Sequence, residues 1–516
     1  MRIIKKILIN LNIIVGDYFN NDINKLIKIN RFFFIKPKTK PNVILFDFYR
    51  VLETEIIRSY LLKNLSSLYN AEINCFINSP FNNINFKWKS FYKSFGTAKF
   101  IYVKLNNNQK KESLNIFNSL IKKIKNKNDL FNLHVFNVHI GVDIYEEFMM
   151  KYQYPTFELS HQFAKKEIFN GIKLLVFWKD YFKRNKVKAI VNSHLSLRFL
   201  SLPAKIGGAL YDIPFFSAHS NGLNFIKEPH NHSEFIKKVY QNYPKKFKKL
   251  NPSEKIKALE ISKDRLCKRL SGTIGVDMDY SKKSAFVNSH VDKDFLISNK
   301  KNIKILICTH EFYDSPNSFG ELLFNDFYEW LKFLIKFSEK VNYEWYVKLH
   351  PDFDTSTLII LNKLFKNKSN FHILESDISF HQIYKKNIKI ALTCYGSVGH
   401  ELPLIGFRVI NAGTNPHIAY NFNDHPTSIK EYVDFLSNLE QAWENKIDLT
   451  KIYEFYYMHY IYFSNDCIQD FKFYDNFISE QSLDKSNIIN YINSIDRDKF
   501  KKTLALIKKK IINAMK

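Results

Sequence analysis

The strongest constraint on the fold is a regular alternation of short apolar runs with helical patterns in the second half of the chain. Buried-strand patterns lie at 303–308, 345–349, 371–374, 388–392 and 409–411. Amphipathic helical patterns separate several of them, at 324–340 and 357–365. Strands that alternate with helices at this spacing predict a parallel sheet with helices on both faces.

The first half of the chain carries a similar pattern. Strand patterns occur at 42–48, 71–77, 100–105, 187–191 and 213–217, with a helical pattern at 51–68 and a helix-rich stretch at 145–185. The predicted fold class is therefore α/β, with two Rossmann-like, doubly wound domains that face a cleft, followed by a helical C-terminal tail. The predicted boundaries are a basic segment at 1–40, a first domain at 41–225, a basic inter-domain segment at 226–300, a second domain at 301–445 and C-terminal helices at 446–516.

The chain is strongly basic, with 77 Lys and Arg against 50 Asp and Glu over 516 residues. Part of this excess is typical of codon bias, because Lys, Asn, Ile and Phe are all abundant. Nucleic acid, an anionic membrane and an anionic substrate are all partners that such a charge favours. Nucleic acid is disfavoured, because the aromatic residues fall at core spacing and do not alternate with Lys on a sheet face.

The five cysteines lack the spacing of a disulfide framework or a zinc finger, so a reducing, cytoplasmic location is predicted. The N-terminus imitates a signal peptide, but Asn10 and Asn12 interrupt its apolar stretch. No run of about 18 apolar residues predicts a membrane-spanning helix.

The C-terminal segment 499–516 alternates lysines with Leu and Ile at near-helical spacing. A basic amphipathic helix of this kind suits the inner face of the cytoplasmic membrane. The same pattern is also typical of a terminal helix that packs on the protein with its lysines in water, and the sequence leaves both open.

Polar clusters follow four strand patterns of the second half, at 309–316, 348–351, 393–401 and 412–417. In the third cluster, Gly396 and Gly399 permit a close backbone approach to a ligand. Ser397 is predicted to cap the following helix, whose N-terminus would bind a phosphate. Glu401 is predicted to contact the ribose of a nucleotide.

Two other clusters offer cationic and acid–base groups. Lys348 and His350 alternate along a strand end, so they are predicted to point the same way, towards a phosphate. His310 and Asp314 follow the first strand of the second half and are candidate catalytic groups. His194 follows the strand at 187–191 and would face the cleft from the first half.

No metal site is predicted. The acidic pairs at 277 and 279 and at 352 and 354 imitate the metal-binding motif of some sugar transferases, but two carboxylates are weak evidence for a metal ion. Neither a metal nor another cofactor is therefore expected.

The order of these motifs resembles a known group of enzymes. The motifs are Thr-His-Glu-Phe-Tyr-Asp at 309–314, Lys-Leu-His-Pro at 348–351 and Gly-Ser-Val-Gly-His-Glu-Leu-Pro at 396–403. They resemble the donor half of glycosyltransferases with two Rossmann-like domains (GT-B architecture) from bacterial capsule and lipopolysaccharide clusters, including capsule Kdo transferases. The segments 192–194 and 204–214 are similar to the acceptor half.

The resemblance implies a metal-independent glycosyltransferase that moves a sugar from a nucleotide-sugar donor to a surface polysaccharide or a lipid-linked acceptor. It implies that the first domain binds the acceptor and the second the donor. Three alternatives stay open: a CDP-polyol phosphotransferase, a nucleotide-sugar 2-epimerase and a non-catalytic scaffold of the export machinery.

Overall fold

The computed structural model describes most of the chain. The described residues are 21–34, 40–49, 52–78, 84, 86–194, 198–219, 222–226, 229–278, 283–286, 301–313, 315–318, 320–439, 447–462 and 495–515.

The first half forms a six-stranded sheet in the order β3-β2-β1-β6-β7-β8. Its strands are β1 (Asn42–Asp47), β2 (Ala71–Ile77), β3 (Thr97–Tyr102), β6 (Val187–Asn192), β7 (Phe215–His219) and β8 (Gly222–Ile226). β1, β2, β3, β6 and β7 pair in parallel. The inner strands β1, β2 and β6 are almost wholly buried, which is why their sequences read as continuous apolar runs.

Helices cover both faces of this sheet. They are α1 (Asn21–Phe33), α2 (Leu52–Leu68), α3 (Phe86–Ser94), α4 (Asn107–Ile121), α5 (Lys127–Phe131), α6 (Gly141–Tyr152), α7 (Ala164–Arg184) and α8 (Arg198–Tyr211). A small hairpin of β4 (His134–Val135) and β5 (Val138–His139) lies between α5 and α6.

The second half forms a parallel five-stranded sheet in the order β11-β10-β9-β12-β13. Its strands are β9 (Ile303–Cys308), β10 (Tyr343–Lys348), β11 (Phe371–Leu374), β12 (Ile390–Thr393) and β13 (Arg408–Asn411). Its helices are α12 (Phe327–Ser338), α13 (Thr355–Phe365), α14 (Phe380–Lys385), α15 (Val398–Ile405) and α16 (Ile429–Ser437). In this order, strands are added on one side of β9 and then on the other, which is the Rossmann pattern.

The structure confirms the predicted α/β class with two Rossmann-like sheets. It also corrects one point of the first sheet, because β8 pairs with β7 antiparallel. β8 was not predicted from the sequence, and it adds an edge strand beside β7. This antiparallel edge departs from strict doubly wound topology.

The segment between the sheets contributes helices that pack on the second half. They are α9 (His232–Gln241), α10 (Tyr243–Lys248) and α11 (Pro252–Leu270). Buried residues of these helices, which include aromatic residues in α9 and α10 and are aliphatic in α11, share a core with α17 (Leu449–Tyr456) and the π-helical turn Tyr457–Tyr462. The predicted inter-domain segment therefore completes the second half of the molecule.

The C-terminal helix α18 (Arg497–Met515) returns to the first half. Phe500, Ile507 and Ile511 are buried there among residues of α1 and α2, and Phe500 stacks on Phe33 with ring centroids 4.8 Å apart. The apolar side of the predicted amphipathic helix is thus occupied by the protein itself. No helix in the described part of the chain is long and apolar enough to cross a bilayer.

Candidate functional site

In each sheet the order of strand addition reverses at one point, and the candidate site residues lie at these two points. In the first sheet the change lies between β1 and β6, and in the second between β9 and β12. A crevice opens at the carboxyl ends of strands at such a point, because the connecting helices leave in opposite directions. The two crevices lie towards each other, since Arg198 Nη1, after β6, donates to Ser315 Oγ, after β9, at 3.0 Å.

Further contacts hold the two halves together beside these crevices. Tyr145 donates to the Asp326 carboxylate at 2.5 Å. The backbone amide of Asn317 donates to Glu146 Oε1 at 2.8 Å. Because three of these four residues are buried, this seam is a packed interface and positions the two crevices.

His310 lies at the second crevice, directly after β9. Its Nε2 is 3.1 Å from Thr393 Oγ1, at the end of β12, and its ring stacks on Phe327 at 4.5 Å. Burial, helped by the charge of His350, lowers the pKa of His310 to about 3. A histidine held neutral in this way is a hydrogen-bonding group near pH 7 and a weak proton acceptor.

Lys348 and His350 occupy different depths. Lys348 is 1 % exposed, its Nζ donates to the Ser376 carbonyl at 2.9 Å, and it lies 5.5 Å from the centre of the Phe380 ring. Burial lowers the pKa of Lys348 to about 8. His350 is exposed at the rim, and its Nδ1 accepts from the Asp352 amide at 3.2 Å. A buried cation behind an exposed imidazole suits an anion that enters from the cleft.

The loop after β12 turns through Gly396, whose φ of +133° lies in the region that favours glycine. The first amides bonded within the following helix are those of Gly399 and His400, which donate to the carbonyls of Gly396 and Ser397. The amides of Ser397 and Val398 precede these bonds at the positive end of α15, where an anion is stabilised.

The predicted capping role of the Ser397 side chain is wrong. Ser397 itself has helical dihedral angles and makes no side-chain cap bond, whereas a capping residue is usually extended. Its Oγ instead donates to Glu401 Oε2 at 3.0 Å. The hydroxyl therefore orients the glutamate one turn later.

Gly399 has a packing role in this structure. A Cβ at this position would lie 2.2 Å from Nε2 of His417, a fully buried residue after β13. The space that a side chain would need is filled by the His417 ring. The predicted contact of Gly399 with a phosphate stays a prediction.

Glu401 forms a buried ion pair that the sequence did not reveal. Its Oε1 accepts from Nε of Arg269 at 2.7 Å and also from Nη2, and Arg269 lies at the end of α11. Burial by itself would lower the pKa of the Arg269 guanidinium. The neighbouring Glu401 carboxylate has the larger effect, so the pKa is raised. Arg269 stands in a Lys-rich helix without a motif, so no local signal marks it. The predicted ribose contact of Glu401 stays a prediction.

The first crevice holds His194 together with two residues that the sequence analysis did not assign to the site. Ser193 Oγ donates to Asp47 Oδ2 at 2.6 Å, and its amide donates to Asp47 Oδ1 at 2.9 Å. His194 Nδ1 lies 2.9 Å from the same Ser193 Oγ. Asp47 also pairs with the buried Arg58. The structure thus brings His194 to the end of β1. The predicted catalytic residue Asp314 lies outside the described residues.

In each acidic pair that imitates a metal site, one member has another partner, and Asp279 lies outside the described residues. Asp277 pairs with Arg265 and accepts from the Tyr456 hydroxyl. Asp354 caps α13 by accepting from the Ser356 amide at 2.8 Å. Within the described ranges, no group of three or more His, Cys, Asp or Glu residues is placed to hold a metal ion.

Comparison of the sequence with protein-family models and with curated proteins finds no match. Solved structures with some similarity include KpsC, a β-Kdo 2,4 transferase from Thermosulfurimonas dismutans, at 11 % identity and a TM-score of 0.33, over 60 % of this chain and 87 % of that one. A UDP-GlcNAc 2-epimerase from Neisseria meningitidis bound to UDP-GlcNAc has 10 % identity and a TM-score of 0.23, over 84 % and 98 %. A glycosyltransferase from Rickettsia africae has 11 % identity and a TM-score of 0.23, over 90 % and 99 %. These values are too low to carry a functional inference, which has to come from the residues of this chain.

Proposed function

We propose that this protein is a metal-independent glycosyltransferase that moves a sugar from a nucleotide-sugar donor to a growing bacterial surface polysaccharide, of a capsule or a lipopolysaccharide. One observation carries the proposal. Two crevices at topological switch points face each other, and the second offers cationic and amide groups while the first offers a histidine. A reaction between two bound substrates needs this arrangement, because it must hold both in one geometry.

On the donor side, the anionic diphosphate or monophosphate would lie at the start of α15. The amides of Ser397 and Val398 and the ammonium of Lys348 would hold it, and Gly396 would let the backbone approach. His350 at the rim would donate to the departing phosphate and offset its growing negative charge. Positive charge for the leaving group then comes from the protein, so the transfer would proceed without a metal ion or other cofactor.

Replacing His350 or Glu401 by Ala tests the donor site. We expect the His350→Ala variant to lose on the order of 10²-fold in kcat with a smaller change in donor KM, because leaving-group stabilisation acts in the transition state. We expect Glu401→Ala to raise donor KM instead, because it releases Arg269 and Ser397 beside the phosphate site. Transfer assays over the UDP-, GDP-, CMP- and CDP-linked donors measure both.

His372→Ala is the matched control, because His372 of β11 pairs with Glu344 of β10 near the amino ends of both strands, away from the carboxyl ends where the candidate site lies. It should keep full activity, and wild-type activity should also persist in EDTA. Full activity of both site variants would overturn the assignment. Loss of activity in EDTA, restored by a divalent cation, would overturn its metal independence.

Product analysis separates the alternatives kept open by the sequence. A CDP-polyol phosphotransferase would release CMP and leave a phosphodiester in the polymer. A nucleotide-sugar 2-epimerase would convert its substrate with no acceptor present. A scaffold would give no thermal shift with any nucleotide-linked donor. A glycosidic bond formed only when acceptor is present is the result expected here.

The proposed location is the cytoplasm, with peripheral association at the inner face of the membrane through 499–516. The apolar side of α18 packs on the first half. The contribution of this helix to membrane binding would therefore come from its exposed lysines, which anionic lipid attracts. Deleting α18 would expose core residues, so charge removal is the sharper change. Lys499 and four further lysines of this helix are exposed, and the four are Lys501, Lys502, Lys508 and Lys509.

Replacing these four lysines by Gln should weaken binding to vesicles that contain anionic lipid, at about 1 kcal/mol per lysine near the surface. Sedimentation with vesicles of phosphatidylglycerol and phosphatidylcholine measures this. The control set is four exposed lysines in or directly after α4, a helix that packs on a different core of the first half from α18: Lys110, Lys111, Lys122 and Lys123. Equal binding by both variants and the wild type would remove the membrane role of this helix.

A further inference from the structure

We propose that Ser193 and Asp47 are positioning residues that fix one tautomer of His194, so that Nε2 of His194 accepts the proton of the acceptor hydroxyl. The inference rests on the proposed function and deepens it, because it assigns the base of the transfer. It comes from the hydrogen bonds at the switch point of the first sheet.

Asp47 forms an ion pair with Arg58, whose guanidinium is charged at any ordinary pH. Both residues are fully buried, so the pair has no access to water. An ionised carboxylate only accepts hydrogen bonds. The Ser193 hydroxyl, 2.6 Å from Asp47 Oδ2, must therefore donate its single hydrogen to Asp47.

The same hydroxyl oxygen lies 2.9 Å from Nδ1 of His194. Since its hydrogen is already committed to Asp47, the oxygen can only accept from the ring. Nδ1 must then carry the hydrogen, and in a neutral imidazole this leaves the lone pair on Nε2. The order Asp47, Ser193, His194 thus fixes a ring with a proton-accepting Nε2.

The location of the ring suits this role. His194 is partly exposed and packs edge-on against Tyr49 at 5.1 Å, whereas Ser193 and Asp47 are fully buried behind it. Four residues further on, Arg198 reaches Ser315 at the second crevice. The chain therefore places the imidazole in the crevice that faces the donor site, with its support inside the protein.

In the reaction, the acceptor hydroxyl gives its proton to Nε2 as its oxygen forms a bond to the anomeric carbon of the donor sugar. The bond between that carbon and the phosphate oxygen breaks, and its electron pair leaves with the nucleotide. The resulting imidazolium keeps its Nδ1 hydrogen bond to Ser193. Through Ser193, the Asp47 carboxylate stabilises the positive charge.

Three variants test the relay. Ser193→Ala removes the link and leaves His194 in place, and His194→Gln removes the base. Ser59→Ala is the matched control, because Ser59 is also a buried serine, and its hydroxyl donates to the Ile56 carbonyl within α2 at 2.6 Å.

The first measurement is nuclear magnetic resonance of the full chain labelled with ¹⁵N-histidine, with the His194→Gln spectrum assigning the signal. We expect the Nδ1–H tautomer in the wild type and in Ser59→Ala, and its loss in Ser193→Ala. An Nε2–H tautomer in the wild type would overturn the relay. This readout needs no donor, so it is independent of the proposed function.

The second measurement is kcat against pH with an active donor. We expect kcat to fall on the order of 10³-fold in His194→Gln and 10- to 10²-fold in Ser193→Ala, with donor KM within about twofold. The acidic limb of the pH profile should move in Ser193→Ala and stay in Ser59→Ala. The kcat of the double variant His194→Gln/Ser193→Ala should be no lower than that of His194→Gln, because both substitutions act through the same imidazole ring.

Failure of the relay and failure of the proposed function give different results. Transfer by the wild type with unchanged kcat in Ser193→Ala overturns the relay and keeps the proposed function. No transfer with any donor overturns both the function and the role of His194 as its base, even where the tautomer is as expected.

Discussion

The Lys348→Met variant is expected to be more stable than the wild type and to bind its donor on the order of 10²-fold more weakly. Lys348 is a buried ammonium whose pKa burial lowers to about 8, from 10.5. Keeping it charged in the folded protein at neutral pH costs about 3 kcal/mol. Met has a similar length and no charge, so the variant should gain about 2 kcal/mol after losing the bond to the Ser376 carbonyl. A bound phosphate would offset the same cost, which is why donor affinity should fall.

Urea denaturation at pH 7.5 and pH 10 measures the stability part, and titration with the active nucleotide-linked donor measures the affinity. The sign of the pH dependence follows from the lowered pKa. Between about pH 8 and 10.5 the unfolded chain binds more protons at this position, so the stability of the wild type rises with pH. Lys348→Met lacks this group, and its advantage should shrink at pH 10.

Lys205→Met is the matched control, because Lys205 is also buried but pairs with the buried Asp143 at 2.8 Å. That substitution strands a carboxylate and should cost about 3–5 kcal/mol. A destabilised Lys348→Met with normal donor affinity would show that this ammonium is structural. The contrast between the two variants separates a buried ammonium that donates to a neutral carbonyl from one that already pairs directly with a carboxylate.

The central strand of the second sheet was predictable because it is covered on both faces. β9 begins and ends where the sequence indicated, at Ile303–Cys308, and its last four residues are buried. A buried parallel strand is mostly apolar, so its run stands out in the sequence. The edge strand β11 was also placed correctly, at Phe371–Leu374, although its two middle residues are only partly buried. β3 was placed three residues late, because this edge strand is only partly buried and its pattern is diffuse.

The candidate site was predictable only as far as it follows strand ends. His310, Lys348 and Gly396 lie at the predicted edge, because the topology of an open sheet brings strand ends together. The partners that set their chemistry come from distant parts of the chain. Arg269 is 132 residues from Glu401, and Ser193 is 146 residues from Asp47. Local patterns carry no record of such pairs.

Arg58 is the residue of the first crevice whose loss should cost most. It is fully buried, pairs with Asp47 and lies 2.7 Å from Glu55 through Nη1. Burial raises the pKa of Glu55 to about 8 even beside this guanidinium. Arg58→Met leaves both carboxyl groups in a dry interior without a cation, so the free energy of unfolding should fall by about 3–5 kcal/mol at pH 7.5. Guanidinium denaturation measures this loss.

The loss should be smaller at pH 5.5. Without Arg58, the folded state favours the neutral carboxyl groups, so it binds more protons than the unfolded chain, and the variant gains stability as the pH falls. Arg184→Met is the control, because Arg184 pairs with Asp180 at the surface at 2.5 Å and should change stability by at most about 0.5 kcal/mol. A triple variant that also carries Asp47→Asn and Glu55→Gln should recover part of the loss. If Arg58→Met is as mild as Arg184→Met at every pH, the ion pair of Arg58 with Asp47 contributes little, and the chain of hydrogen bonds that fixes His194 would lose its first step.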